Sequence, residues 1–226
     1  MKPDYDYLLA GGGAAGLSLA YHISREPRLR DQRVVLIEPE AKDQNDRTWS
    51  FWTDEPTLFD SIVAHEWRQL AFRSPTFERV FELQRYRYKM IRGLDFYQFV
   101  RAELAQNPQF TFVRATVETL TNTEQGITAT TTAGSFKARF AFDSRPPQLA
   151  KRPEKHRYLL QHFVGWEVET EHDVFDPATA EFMDFRGPQH QEARFIYVLP
   201  FSPARRWSNT PCFRKSSCPR PSMKPL

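Results

Sequence analysis

YDYLLAGGGAAGLSLA, residues 5–20, followed at residues 33–38 by RVVLIE, sets the architecture of the chain. Tyr5–Ala10 is apolar enough for a buried strand, Gly11-Gly12-Gly13 is a turn, and Ala14 to Ser24 reads as a helix with a small, apolar face. Arg33–Glu38 is a second strand rich in β-branched residues. Strand, helix and strand in this order predict a βαβ crossover and a parallel sheet. Gly11-x-Gly13-x-x-Gly16 sits directly after the strand and opens the helix, the context in which this spacing has a mechanism. Gly11 allows the tight turn, Gly13 lets backbone approach a pyrophosphate, and Gly16 lets helix and strand pack closely. The helix N-terminus offers free N–H groups and a positive dipole end to the anion. Glu38 ends the second strand, where a carboxylate accepts from ribose hydroxyls and repels a 2′-phosphate. FAD or NAD is therefore expected in preference to NADP.

Outward from this unit, the chain becomes richer in strands. Residues 40–60 are polar and aromatic without clear period and read as a loop. Short strand-like runs follow at 67–72 and 78–83, a helix at 93–105 on the spacing of Leu94, Phe96, Tyr97, Val100 and Leu104, and a strand at 110–116. Gly126–Thr131 and Ser135–Phe140 predict a hairpin around Ala133-Gly134, with Ala141–Asp143 extending its second arm. Pro146, Pro147 and Pro153 mark a linker, and strands of a second sheet are expected in 158–169, 182–186 and 194–199.

Composition narrows the function classes. The chain has 226 residues, 40% hydrophobic and 26% charged, so it can bury a core. Nineteen Phe, eight Tyr and five Trp suit large apolar cavities as well as cores. Two Cys build no disulfide framework. Residues 7–23 lack the basic flank of a signal peptide and the length of a membrane span, so the expectation is a cytoplasmic protein, soluble or peripheral to the membrane. The net charge of +3 is misleading, because residues 205–226 hold six of the 31 basic residues and no acid, leaving 25 against 28 acidic in the body. No basic stripe runs through that body, and nucleic acid is not an expected partner. His162, alone in an apolar strand, reads as a hydrogen-bonded core histidine rather than a catalyst, the other five His show no metal-ligand spacing, and Cys212 and Cys218 have no partner pairs, so no metal is expected.

Longer stretches carry a resemblance. NDRTWSFW at 45–52, YKMIRGLDFY at 88–97, FDSRP at 142–146, LLQHFVGW at 159–166, FDP at 175–177, FMDFR at 182–186 and FIYVLPFS at 195–202 follow one another in an order and spacing similar to the bacterial lycopene cyclase family. The resemblance covers residues 5–204. It implies a Rossmann-type α/β FAD-binding domain, residues 1–50 and 85–150, with an inserted β-rich substrate domain, residues 51–84 and 151–204. It implies FAD-dependent, non-redox cyclisation of lycopene ends to β-ionone rings in carotenoid biosynthesis. Reduced flavin would be the active form, with NAD(P)H a candidate reductant, and a carotenoid dissolved in the membrane would bring the protein to the membrane surface. Two other functions stay open: an FAD-dependent monooxygenase or reductase of an apolar isoprenoid, and a non-catalytic flavin-binding remnant.

Such a cyclisation needs a carboxylic acid held neutral by burial, an electron-rich group beside the cation and exclusion of water. By resemblance Asp143 lies near the flavin; alternatively it caps a strand end. Arg47 pairs with cofactor or is a solvated loop arginine. Asp184 and Arg186 share a strand face and read either as a pair lining the active site or as a structural ion pair. Asp184 is a weak candidate for the acid.

After Ser202 the resemblance predicts Arg-Ala-Leu-Val-Glu-Tyr-Thr-Leu-Phe-Ser, whereas residues 205–214 read RRWSNTPCFR. One permitted codon set for RRWSNTPCFR, with a single G restored after the first codon, translates as the expected segment. A one-base deletion near codon 205 is the expectation, making 205–226 a non-native, disordered tail and the chain a truncated copy. The family's leading acid, a Glu, would stand where this chain has Asn209. Reading the gene across codon 205 decides the point.

Overall fold

The computed structural model describes residues 3–146, 159–162, 165–189, 192–209 and 212–214. In chain order its elements are β1 (Tyr5–Ala10), α1 (Ala14–Arg25), β2 (Val34–Ile37), β3 (Thr48–Thr53), β4 (His65–Trp67), β5 (Gln69–Ser74), β6 (Phe77–Glu82), β7 (Arg87–Arg92), α2 (Gly93–Ala105) and β8 (Phe110–Val113). There follow β9 (Val117–Thr123), β10 (Gly126–Thr131), β11 (Gly134–Asp143), β12 (Leu160–His162), β13 (Gly165–Glu169), β14 (Thr179–Asp184), β15 (Ala193–Arg194), β16 (Ile196–Pro200), β17 (Arg205–Asn209) and β18 (Cys212–Arg214). The chain divides into two compact units, residues 1–49 with 91–148 and residues 50–90 with 149–226.

The first unit is built on a six-stranded sheet of order β8-β2-β1-β11-β10-β9. β1 pairs in parallel with both β2 and β11, and β2 with β8, so the expected crossover and parallel sheet are present. The long strand β11 pairs with β10 along its first half and β1 along its second. One face packs Leu8, Ala10, Val35, Ile37, Ala129 and Ala138 into a fully buried cluster. α1 buries Gly16, Leu17, Ala20, Tyr21 and Ile23 on one stripe, the helical period the sequence shows. It packs on α2, where Tyr21 meets Phe99 edge-on at 5.4 Å.

The second unit holds a six-stranded sheet of order β13-β17-β16-β14-β5-β6, with sheets β3-β7-β4 and β12-β18-β15. Its core is Trp67, Leu70, Tyr88, Met90, Ala180 and Leu199. The fully buried Trp67 donates its indole N–H to the Pro200 carbonyl at 3.1 Å, so its one polar atom is satisfied. Lys89 is 7% exposed, and its ammonium meets Asp60 at 2.9 Å and Glu66 at 3.9 Å. A buried cation tolerates that position only because carboxylates face it.

Three expectations require correction. The stretch read as a loop at 40–60 contains β3, whose TWSFWT run gains strand pairing from its place in the β3-β7-β4 sheet. Residues 87–92 and 117–123 form β7 and β9, which the sequence does not announce because Lys89 and the Thr-rich run of β9 blur the alternation. Residues 205–209, expected as disordered tail, form β17 between β16 and β13. Ladder hydrogen bonds are made by backbone, and Arg205–Asn209 contains neither Pro nor Gly to interrupt them. The expected linker at 147–158 lies outside the described residues.

The β1–α1 turn is the tightest point of the first unit. A Cβ on Gly16 would stand 1.9 Å from the Gly11 carbonyl oxygen. Alanine normally improves a helix by about 1 kcal/mol over glycine. Here it would press on backbone, which cannot rotate away, and overpacking of that kind costs about 1–3 kcal/mol. Gly16→Ala should therefore lower the Tm, by about 2–4 °C for each kcal/mol lost in a chain of this size, as thermal unfolding followed by circular dichroism will show.

Candidate functional site

A cleft of about 380 Å³ opens in the first unit at the N-terminus of α1. Its floor is the glycine turn. Gly11 has φ of +106°, a conformation side chains rarely adopt, and its N–H donates to the Ile37 carbonyl at 2.9 Å. Ser144, just past β11, closes the turn from the other side: its N–H and its hydroxyl both donate to the Ala10 carbonyl at 2.9 Å. A Cβ on Gly11 would sit 2.4 Å from the Ser144 Oγ, and one on Gly12 2.8 Å from the Cβ of Glu38. These two glycines, like Gly16, are required by the protein's own packing.

Gly13 differs from all three. Its φ of −78° and ψ of −166° suit any residue, and a Cβ built there meets no atom within 4 Å. Among the described residues nothing requires glycine at this position, yet it is the N-cap of α1 and faces the cleft with Ala14 and Ala15. The cap has no side-chain hydrogen bond and the first turn no acid. The N–H groups of that first turn are of the kind that can receive an anion.

Glu38 lines the cleft and is fixed in place. Its carboxylate accepts from the Gly12 N–H at 2.6 Å and the Glu40 N–H at 3.0 Å, which leaves lone pairs for a further donor. Arg47 also lines the cleft with a 67% exposed side chain, held through its backbone: its carbonyl takes the Gly93 N–H at 2.7 Å. Asp143 does not act alone. Its carboxylate grips Arg145 at 2.8 and 2.9 Å and takes the Arg145 N–H at 3.1 Å, and Arg145 lines the cleft. The Arg145 guanidinium holds the Asp143 carboxyl below the usual carboxylate range. So Asp143 serves the cleft by orienting a cation.

Among the cleft residues that escaped sequence reasoning are Lys42, Tyr97, Ser144 and Arg145. Lys42 has φ of +56°, and its ammonium lies 4.0 Å from Glu38, 3.9 Å from Asp46 and 5.5 Å from the centre of the Tyr97 ring. Tyr97 donates to Asp46 at 3.0 Å, and burial above all, with Asp46 next, pushes its phenol far above the ordinary range. Ser144 and Arg145 complete the wall. The one available signal was Asp-x-Arg at a strand end, which recurs at Asp184.

In the second unit Asp184 takes two hydrogen bonds from the Arg186 guanidinium, at 2.9 and 2.7 Å, and one from the Arg186 N–H at 3.0 Å. The Arg186 side chain holds its carboxyl below the usual range. An ionised, paired carboxylate is the opposite of a neutral buried acid, and the structural ion pair is the reading this geometry supports. The backbone of Asn209 lies in β17, against Gly165 and Tyr197. Among the described residues no group of three His, Cys, Asp or Glu could hold a metal ion.

Comparison with known proteins addresses the family and the fold. The chain is 26% identical over 212 residues to a lycopene beta-cyclase of Pantoea ananas, covering 91% of this chain and 51% of the relative. It is 30% identical over 217 residues to a lycopene beta-cyclase of Paracoccus sp. (strain N81106 / MBIC 01143), covering 89% and 49%. The chain thus spans about half the length of the curated relatives it matches. Its fold is shared with pqsL, a probable FAD-dependent monooxygenase from Pseudomonas aeruginosa, at a TM-score of 0.63 and 12% identity over 92% of this chain and 60% of that one. The family model described as lycopene cyclase protein matches residues 6–219. With an α/β fold of this type and that match over most of its length, the chain belongs to the lycopene cyclase family.

Proposed function

We propose that the cleft of the first unit binds FAD and that the protein descends from enzymes closing the ends of lycopene into β-ionone rings. Gly13 carries the cofactor reading. It is the one glycine of the turn whose missing side chain leaves room for something other than the protein itself. The cleft fits a dinucleotide: N–H groups and a helix dipole for the diphosphate, Glu38 for ribose hydroxyls, and Arg47 and Arg145 as cations on its wall. NAD(P)H is the proposed source of electrons for the flavin. Reduced FAD, when bound, supplies an electron-rich ring suited to positive charge.

The proposed reaction is an isomerisation. A proton adds to the terminal double bond of the polyene, the neighbouring double bond captures the cation and closes the ring, and a proton is lost to restore an alkene. Atoms and electrons balance without net oxidation. The substrate is an apolar carotenoid, and contact with a membrane surface follows from where such a molecule dissolves. Among the described residues no helix is long and apolar enough to cross a membrane. The acid is the weak point of this copy. Asp184 is committed to Arg186, and Asn209 stands where the family's Glu is expected. We therefore propose that these 226 residues lack cyclase activity, the reading frame being altered near codon 205.

Two measurements check these proposals. Gly13→Val should leave the fold intact, since nothing crowds that Cβ, and weaken FAD binding at least tenfold; Glu38→Arg should weaken it too, by removing the ribose contact. Flavin fluorescence titration reads both, and wild-type affinity in either variant defeats the assignment of the cleft. In a host that accumulates lycopene, the chain as written should form no β-carotene, while the frame-restored gene should form it. Pigment extraction and chromatography score the result, and β-carotene made by the 226-residue chain itself would show that an acid is present among its own residues.

A further inference from the structure

The connection between β2 and β3, residues 38–47, holds no helix or strand, yet both of its ends line the cleft of the first unit, Glu38 at one and Arg47 at the other. From outside, Arg101 donates to the Ala41 carbonyl, Arg114 to the Pro39 carbonyl at 3.3 Å, and the Gly93 N–H to the Arg47 carbonyl at 2.7 Å. From inside, the connection is gathered by Lys42.

Three features set Lys42 apart. Among the described residues it is the only one other than glycine with a positive φ, +56°. That conformation is unfavourable for a residue with a Cβ and persists where the surroundings enforce it, which is often at a functional site. Its side chain is 11% exposed, although lysine ordinarily extends into water. Its ammonium faces carboxylates from both ends of the connection, Glu38 at 4.0 Å and Asp46 at 3.9 Å, with Glu40 in direct contact and the Tyr97 ring centre at 5.5 Å. Asp46 in turn takes the Tyr97 hydroxyl at 3.0 Å and lies 4.0 Å from the Arg47 guanidinium.

The Gly12 and Glu40 N–H groups hold the Glu38 carboxylate but do not cancel its charge. Without the ammonium, three carboxylates would crowd one corner of the cleft and repel one another. Glu38 takes one of its two N–H donors from Glu40, within the same connection, so a shift of that segment turns the carboxylate. We propose that Lys42 is a positioning residue for the cofactor site: by drawing Glu38 and Asp46 together, it keeps the free lone pairs of Glu38 aimed at ribose hydroxyls. This rests on the reading of the cleft as a dinucleotide site, and Lys42 acts there through Glu38.

ADP and 2′,3′-dideoxy-ADP test it, because they share adenine and diphosphate and differ only in the ribose hydroxyls. Calorimetric titration of the 226-residue chain gives the ratio of their affinities. Loss of folded protein weakens both probes equally and leaves the ratio unchanged, so the ratio reports on Glu38 and not on stability. Wild type should prefer ADP by about tenfold or more, as expected for hydrogen bonds to a charged acceptor, and Lys42→Met should bring the preference below about threefold. Lys42→Arg, which keeps the cation, should retain it. If Lys42→Met does not fold, Lys42→Gly removes the ammonium, suits the positive φ and should show the same loss. A preference undiminished in Lys42→Met or Lys42→Gly, or lost equally in Lys42→Arg, overturns the role of Lys42 and leaves the cleft reading standing. Equal affinity of wild type for the two probes removes the ribose contact and the role of Lys42 with it, while the diphosphate reading stands. Binding of neither probe by wild type overturns the cofactor reading and this inference together.

Discussion

The approach of the Gly11 carbonyl to Gly16 governs the first unit. With 1.9 Å between that oxygen and any Cβ at position 16, only glycine lets α1 start immediately after β1 and lie close along the sheet. That placement aims the N-terminus of α1 into the space bounded by Glu38, Ser144 and Arg145. The rest of the site follows from it. Ser144 can brace the turn because β11 runs parallel to β1 and ends beside Ala10. Glu38 reaches Gly12 because β2 is the next strand on the other side. The turn is thus gripped by the ends of its two neighbouring strands.

The two units solve different problems with different residues. The first gathers the N-terminus of α1 and the Arg47 and Arg145 side chains around one cleft. The second packs its rings together and pairs its buried ammonium with carboxylates. Lys89 illustrates the second strategy: its ammonium is nearly buried, yet Asp60 and Glu66 neutralise it, so the aromatic residues on the same strand face no unpaired charge from that side.

Much of the first unit was legible in the sequence because its signals are local. The apolar runs of β1 and β2, the glycines between them and the stripe of α1 all lie within 34 residues, counted from Tyr5 to Glu38. The hairpin of β10 and β11 was legible for the same reason. β3 and β7 were not, because Trp49 and Phe51 sit in a polar stretch and Lys89 interrupts an apolar one. What makes them strands is pairing with partners far along the chain. β17 shows this most clearly, since neighbouring strands supply its ladder whatever its side chains suggest. In the site, Gly11, Gly13, Gly16 and Glu38 carried a spacing that could be read. Lys42, Tyr97 and Arg145 did not, because their roles depend on contacts to Asp46, Glu38 and Val117 that only the folded chain creates.

The N-terminus of α1 is proposed to receive a diphosphate joined to an adenosine. Calorimetric titration of the 226-residue chain with FAD and with FMN tests it directly. FMN carries the same flavin ring but only a terminal phosphate and no adenosine. FAD should bind, ADP should displace it, and FMN should bind far more weakly. Equal affinity for FAD and FMN, or FAD binding that ADP does not weaken, would mean that the cleft at Gly13 is not where the cofactor is held.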